Sequence, residues 1–141
     1  MDTIRFLLRD NDAKVDVAIL VIRIGIGFMF ILHGYPKLFG GIEKWTSLGE
    51  LGPGSLGIHF WYPVWGFIAA VSETIGGLFL ILGIYVRLSS LMLFLTMLFA
   101  AGFHIASGKG SPYHAIESAI VFIGLFLTGS GKYNIYRFLK K

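Results

Sequence analysis

Four apolar runs, each long enough to cross a lipid bilayer, leave this chain few ways to fold. A helix needs about 20 residues to span the hydrocarbon core, and the runs lie roughly at 15–35, 63–86, 88–107 and 113–130 of the 141 residues. Only 14% of residues are charged, 55% are hydrophobic and the mean hydropathy is +0.75. Soluble domains carry roughly 25% charged residues, so this chain cannot cover its own core with polar surface. The expected fold is an all-α membrane protein: one domain, 1–141, built as a four-transmembrane-helix bundle. The first sixteen residues lack an apolar core and a small-residue cleavage site, so the first span is expected to remain as an anchor.

Lysine and arginine counts set an expected topology. Arg5, Arg9, Lys14, Arg87, Lys132, Arg137, Lys140 and Lys141 fall on one side, and Lys37, Lys44 and Lys109 on the other. Basic residues favour the cytoplasmic side, which places both termini there, in a bacterial cytoplasmic membrane. Tyr35, Trp45, Trp61, Tyr62, Trp65, Tyr85, Tyr113, Tyr133 and Tyr136 sit near span ends, as interfacial aromatic belts require. The connection from Leu38 to Tyr62 is a long outer loop, read as a lid or a short interfacial helix around IEKWTSLGEL. A tryptophan-anchored surface loop is the competing reading.

The absence of cysteine removes thiol, disulfide and thiolate-metal chemistry from this chain. The net charge of +4 does not point to nucleic acid, because the basic residues are dispersed to span ends rather than grouped with aromatics. Phosphate-loop, nucleophile-elbow and zinc-protease motifs are absent, and the glycines inside the spans read as helix-packing positions.

Ionisable residues inside spans face the bundle interior and mark function by default. Arg23 lies near the middle of the first span and Glu73 near the middle of the second. His33, Lys37, His104, His114 and Glu117 lie toward the outer ends. Helical spacing groups Arg23, Gly27, Phe30, Gly34 and Lys37 on one stripe, and Tyr62, Gly66, Ala69, Ala70, Glu73, Gly76 and Gly77 on another. The third span aligns Ser90, Leu93, Met97, Ala100 and His104; the fourth aligns Tyr113, Glu117, Gly124 and Thr128. Turning all four stripes inward makes an outward-opening pocket with Arg23 and Glu73 as its floor. A lone charge at the bilayer centre costs about 3 kcal/mol on the insertion scale, and a contact pair recovers about 4 kcal/mol at an effective dielectric of 20. An Arg23–Glu73 pair is therefore expected.

Such a pocket suits a quinone, with His104, His33 or Lys37 donating to its oxygens and Glu73 or Glu117 relaying protons. Arg23 and His114 complete the expected binding set. A small anion is a competing occupant, held by Arg23, Lys37 and the histidines. Haem b ligated by His33 and His104 ranks below a quinone, and a metal site of His104, His114 and Glu117 is not supported by their spacing. Each histidine alone is more often an interfacial hydrogen-bonder than a ligand.

RIGIGFMFILHGYPKLFGG, SETIGGLFLILGIYVRL, FAAGFHIASG and ESAIVFIGLFLTGSGKYNIY occur in order, and together they resemble the DoxX-like (DoxX/DoxD) integral membrane protein family. The resemblance covers about Val17 to Tyr136. It implies a four-helix fold, an oxidant-defence or thiosulfate:quinone oxidoreductase context with redox or sulfur-transfer partner subunits, and matched polar positions at Arg23, Gly34, Lys37, Glu73, His104 and Glu117. Without a cysteine or an attached soluble domain, thiosulfate oxidation does not follow for this chain alone. Three functions therefore compete: a quinone-linked redox subunit; a non-catalytic assembly or scaffold module, alone or as a homo-oligomer, in which Arg23 and Glu73 only hold the bundle together; and a small-solute transporter.

Overall fold

The computed structural model describes residues 12–140. Arg5, Arg9 and Lys141, counted in the topology argument, lie outside them. All regular structure among the described residues is helical: α1 (Asp12–Leu38), α2 (Gly41–Leu51), a 3-10 turn (Pro53–Leu56), α3 (Tyr62–Leu82), α4 (Val86–Ser107), α5 (Tyr113–Thr128) and the short α6 (Ile135–Leu139). α1, α3 and α4 are long and apolar enough to cross a membrane. α5 is apolar but has 16 residues, about 24 Å at 1.5 Å per residue, against a core about 30 Å thick.

The connection between α1 and α3 is folded rather than a loop. α2 lies against α3 through two glycines that permit backbone contact. A methyl group on Gly49 would collide with the Tyr62 carbonyl, and one on Gly66 with the Trp45 carbonyl. The Trp45 indole Nε1 donates to the Lys37 carbonyl at 3.0 Å, so α2 is tied to the last turn of α1 through a carbonyl that also accepts from the Gly40 amide.

Glycines also set the register of α1 against α3. A methyl group on Gly27 would stand 2.6 Å from the Gly77 carbonyl oxygen, and one on Gly34 would stand 2.7 Å from Glu73 Cβ. Small residues at both faces let the two backbones approach, which fixes Gly34 at the level of Glu73. α3 ends in a Schellman motif: Gly83, with φ +72°, donates to Leu80 O, and Ile84 donates to Phe79 O. Tyr85 follows with φ +46°, and α4 turns back at once. α4 packs on α5 through a core containing Leu93, Met97, Ala115, Ala119 and Phe122, with Phe30 of α1 closing over it.

Most of the apolar surface is not in this core. Only 17% of the apolar window of α1 is buried inside the bundle, and Val21, Leu32 and Leu127 are among the exposed aliphatic side chains. Surface of this kind requires lipid as its solvent.

The expected inward stripes are buried or half-buried on α1, α3 and α4, with Lys37, Tyr62, Ala69, Ala100 and His104 half-buried, but not on α5. Arg23, Gly27, Phe30 and Gly34 are buried, as are Gly66, Ala70, Glu73, Gly76 and Gly77, and Ser90, Leu93 and Met97. On α5 the structure reverses the expectation: Tyr113, Glu117, Gly124 and Thr128 are exposed, while Ala115, Ser118, Ala119, Phe122 and Leu125 face inward. The small and apolar face fits the close packing against α4, and the polar face of this short helix is left outside.

Candidate functional site

Arg23 and Glu73 do not pair. Glu73 stands level with Gly34, eleven residues along α1 from Arg23, an axial separation of about 16 Å at 1.5 Å per residue. Each charge is satisfied locally instead. Arg23, 1% exposed, donates from Nε to Leu80 O at 3.0 Å and from its terminal nitrogens to Ser130 O and to Tyr133 O, the latter at 2.8 Å. Its acceptors are the carbonyl-rich end of α3, where the helix dipole is negative, and the segment 129–134. Gly83 allows this approach, because a methyl group there would stand 2.7 Å from an Arg23 terminal nitrogen.

Glu73 pairs with Lys37. Nζ lies 2.7 Å from Oε1 and 2.6 Å from Oε2, with the glutamate side chain 3% and the lysine 27% exposed. A buried carboxylate is tolerable when a cation and good hydrogen bonds accompany it. The pair stands between two cavities. The larger, about 320 Å³, is bounded by Leu48 and Leu51 of α2, Pro53, Trp65 and Ile68 of α3, and Met92, Phe99 and Phe103 of α4, with Lys37, Glu73 and His104 at its polar part. The smaller, about 160 Å³, shares Lys37, Glu73, Ala100 and His104 with it and adds His33, Ser111 and His114.

One free donor and one acceptor bear on what the larger cavity can hold. The Trp65 indole nitrogen is buried and has no hydrogen-bond partner, a condition that costs about 1–3 kcal/mol unless an acceptor meets it. His104 Nδ1 lies 2.6 Å from the Lys109 carbonyl. A carbonyl only accepts, so Nδ1 carries the proton, and in the neutral ring Nε2 is left as an acceptor. Trp65, expected in the interfacial belt, thus turns partly into the bundle, whereas Trp61 is 72% exposed.

The remaining expected residues divide. His33 and His114 are exposed, with ring centroids 5.8 Å apart, and both border the smaller cavity. Glu117 is exposed and borders neither cavity. Among the described residues, no three His, Asp or Glu side chains converge as a metal site requires. Trp65, Phe99 and Phe103 escape a search for ionisable residues in spans, although Trp65 falls one turn from Ala69 and two from Glu73 on the α3 stripe.

The pattern of the DoxX family matches residues 18–106, more than half of the chain. The protein belongs to the DoxX family. An uncharacterized protein of Haemophilus influenzae is 32% identical over 110 residues, covering 75% of each chain. No solved structure matches. Family membership and the lipid-requiring apolar surface together make this an integral membrane protein. The matched region contains Arg23, Lys37, Glu73, Trp65 and His104; the carbonyls of Ser130 and Tyr133 that hold Arg23 lie beyond it.

Proposed function

We propose that the protein is a membrane subunit of a quinone-linked redox or oxidant-defence system and binds a quinone ring in the 320 Å³ cavity beside Lys37 and Glu73. One observation carries this reading: a part-buried ion pair and an unpartnered indole donor border the same apolar space. The volume lies at the small end of ligand pockets, about 300–1,000 Å³, which suits a substituted ring rather than a large cofactor. At about 160 Å³, the space beside His33 and His104 falls below that range, which disfavours haem b there.

A quinone supplies two carbonyl acceptors and a reversible two-electron couple. In this arrangement Trp65 donates to one carbonyl, and Lys37 turns a proton not committed to Glu73 toward the other. Glu73 orients the lysine through its two hydrogen bonds, and His104 offers Nε2 as a proton acceptor at the same wall. The chain has no thiol of its own, so a redox role draws its electrons from a bound cofactor or a partner subunit. The inner side of this topology is the cytoplasm, with both termini there and the Lys37 end outside. A non-catalytic assembly role is the second reading, and Arg23 favours it, since its visible bonds all fasten one segment of the bundle to another.

The test is titration of a short-tailed quinone analogue into protein purified in mild detergent, followed by tryptophan fluorescence and by mass spectrometry of lipids extracted from the same preparation. Saturable quenching that disappears in Trp65→Phe, together with co-purified quinone, is the expected result. No saturable binding and no extracted quinone would overturn the reading in favour of the assembly role.

A further inference from the structure

We propose that a groove at the Arg23 end is a binding site for the phosphate headgroup of an anionic phospholipid. The groove has a volume of about 630 Å³ and lies where α1 and α3 meet the C-terminal segment. It shares no residue with either cavity at the Lys37 end. Three cations line it, Arg23, Lys132 and Arg137.

Arg23 forms no ion pair with a carboxylate among the described residues. Its bonds to three carbonyls orient the guanidinium but leave its formal charge uncompensated, and two of its five N–H donors are not used by them. Lys132 and Arg137 are exposed. Among the described residues, a hydrogen bond places Asp16 nearby, its Oδ1 accepting from the Lys132 backbone amide at 2.8 Å, and Asp16 does not line the groove. Among the described residues the lining therefore carries three cations and no carboxylate, as an anionic headgroup requires.

The rest of the lining separates a lipid from a free phosphate. Leu20, Ile81, Leu82 and Phe138 are apolar, and Phe138 is 80% exposed. Acyl chains descending from a headgroup would cover this surface, whereas a free phosphate would leave it bare. Basic pockets between membrane helices bind anionic headgroups by this combination of charge and apolar wall.

The experiment compares wild type and Lys132→Gln/Arg137→Gln in nanodiscs of phosphatidylcholine containing a minor fraction of phosphatidylglycerol. Native mass spectrometry then counts the lipids retained. Wild type is expected to retain phosphatidylglycerol over phosphatidylcholine by about thirtyfold, the ratio for two cations at a membrane surface. The double variant, which leaves Arg23 and its carbonyl bonds in place, is expected to lose most of that preference while melting as wild type does in pure phosphatidylcholine. Should the double variant melt early, the single variants Lys132→Gln and Arg137→Gln provide the same comparison, each losing part of the preference. Equal retention of the two lipids by wild type, or undiminished preference in the variants, overturns the site. Displacement of the lipid by millimolar inorganic phosphate overturns the lipid as its source.

Discussion

Arg23 and the Lys37–Glu73 pair present the same sequence signature, a charge within an apolar helix, and the structure resolves them in opposite ways. Arg23 is held by backbone carbonyls of α3 and of segment 129–134, with no carboxylate partner among the described residues. The end of the bundle it occupies stays cationic. Lys37 and Glu73 neutralise each other, and the space beside them is largely apolar. Solvating a charge with peptide dipoles ties chain segments together, whereas solvating it with a counter-charge leaves a neutral, switchable donor and acceptor at a cavity wall. The first arrangement suits a structural anchor and an anion-accepting surface; the second suits a neutral ring with carbonyl oxygens.

The largest expected effect breaks the second arrangement. Lys37→Met alone strands a buried carboxylate and should destabilise the protein by about 3–5 kcal/mol, read as a lowered unfolding midpoint in detergent. Adding Glu73→Leu removes the stranded charge and should recover most of that loss. If the two losses simply add, the pair is not the coupled unit its geometry describes.

Arg23→Leu should cost about 3 kcal/mol, because the bonds to three carbonyls are lost and, while Leu80 O keeps the Gly83 amide, the Ser130 and Tyr133 carbonyls lose their Arg23 donor. The matching observation is faster proteolysis of segment 129–140 with the Lys37-end cavity still binding its ligand. A variant that instead loses ligand binding while keeping its C-terminal segment protected would erase the distinction between the two ends.

A smaller effect sharpens the role of α2. Gly66→Ala drives a methyl group into the Trp45 backbone carbonyl, and backbone cannot yield as a side chain can. A loss of about 1–3 kcal/mol is expected, with weakened ligand binding, since α2 helps to enclose the cavity. The smallest effect is at Glu117. Exposed and remote from both cavities, Glu117→Gln should change stability by no more than about 0.5 kcal/mol and leave quinone binding untouched.

Much of the helix packing was legible because small residues mark it. The stripes through Gly27 and Gly34, and through Gly66, Gly76 and Gly77, are the surfaces where helices meet, and the family resemblance agrees with the matched pattern over 18–106. α5 misled for a physical reason: polar residues were assumed to seek the interior, but near the end of a 16-residue helix they reach the outside, and Ala115 and Ala119 supply the close-packing face instead. The partner of Arg23 was illegible because carbonyl acceptors belong to every residue and leave no mark in the sequence. Helical spacing also gives faces without giving register, so Arg23 and Glu73 could share a face direction while standing about 16 Å apart along the axis. The cavity depended on α2, whose helix was one of two readings of the Leu38–Tyr62 connection, and on a tryptophan that looked like a belt residue.

The most direct test of the account is the affinity of a short-tailed quinone analogue for wild type and for Lys37→Met/Glu73→Leu, measured by fluorescence on samples of matched melting temperature. Loss of one hydrogen bond from a charged donor corresponds to about 1.5–3 kcal/mol, or roughly tenfold to a hundredfold in Kd, and a weakening in that range is expected. An affinity unchanged by the double substitution would contradict the assignment of this pair to the ligand site.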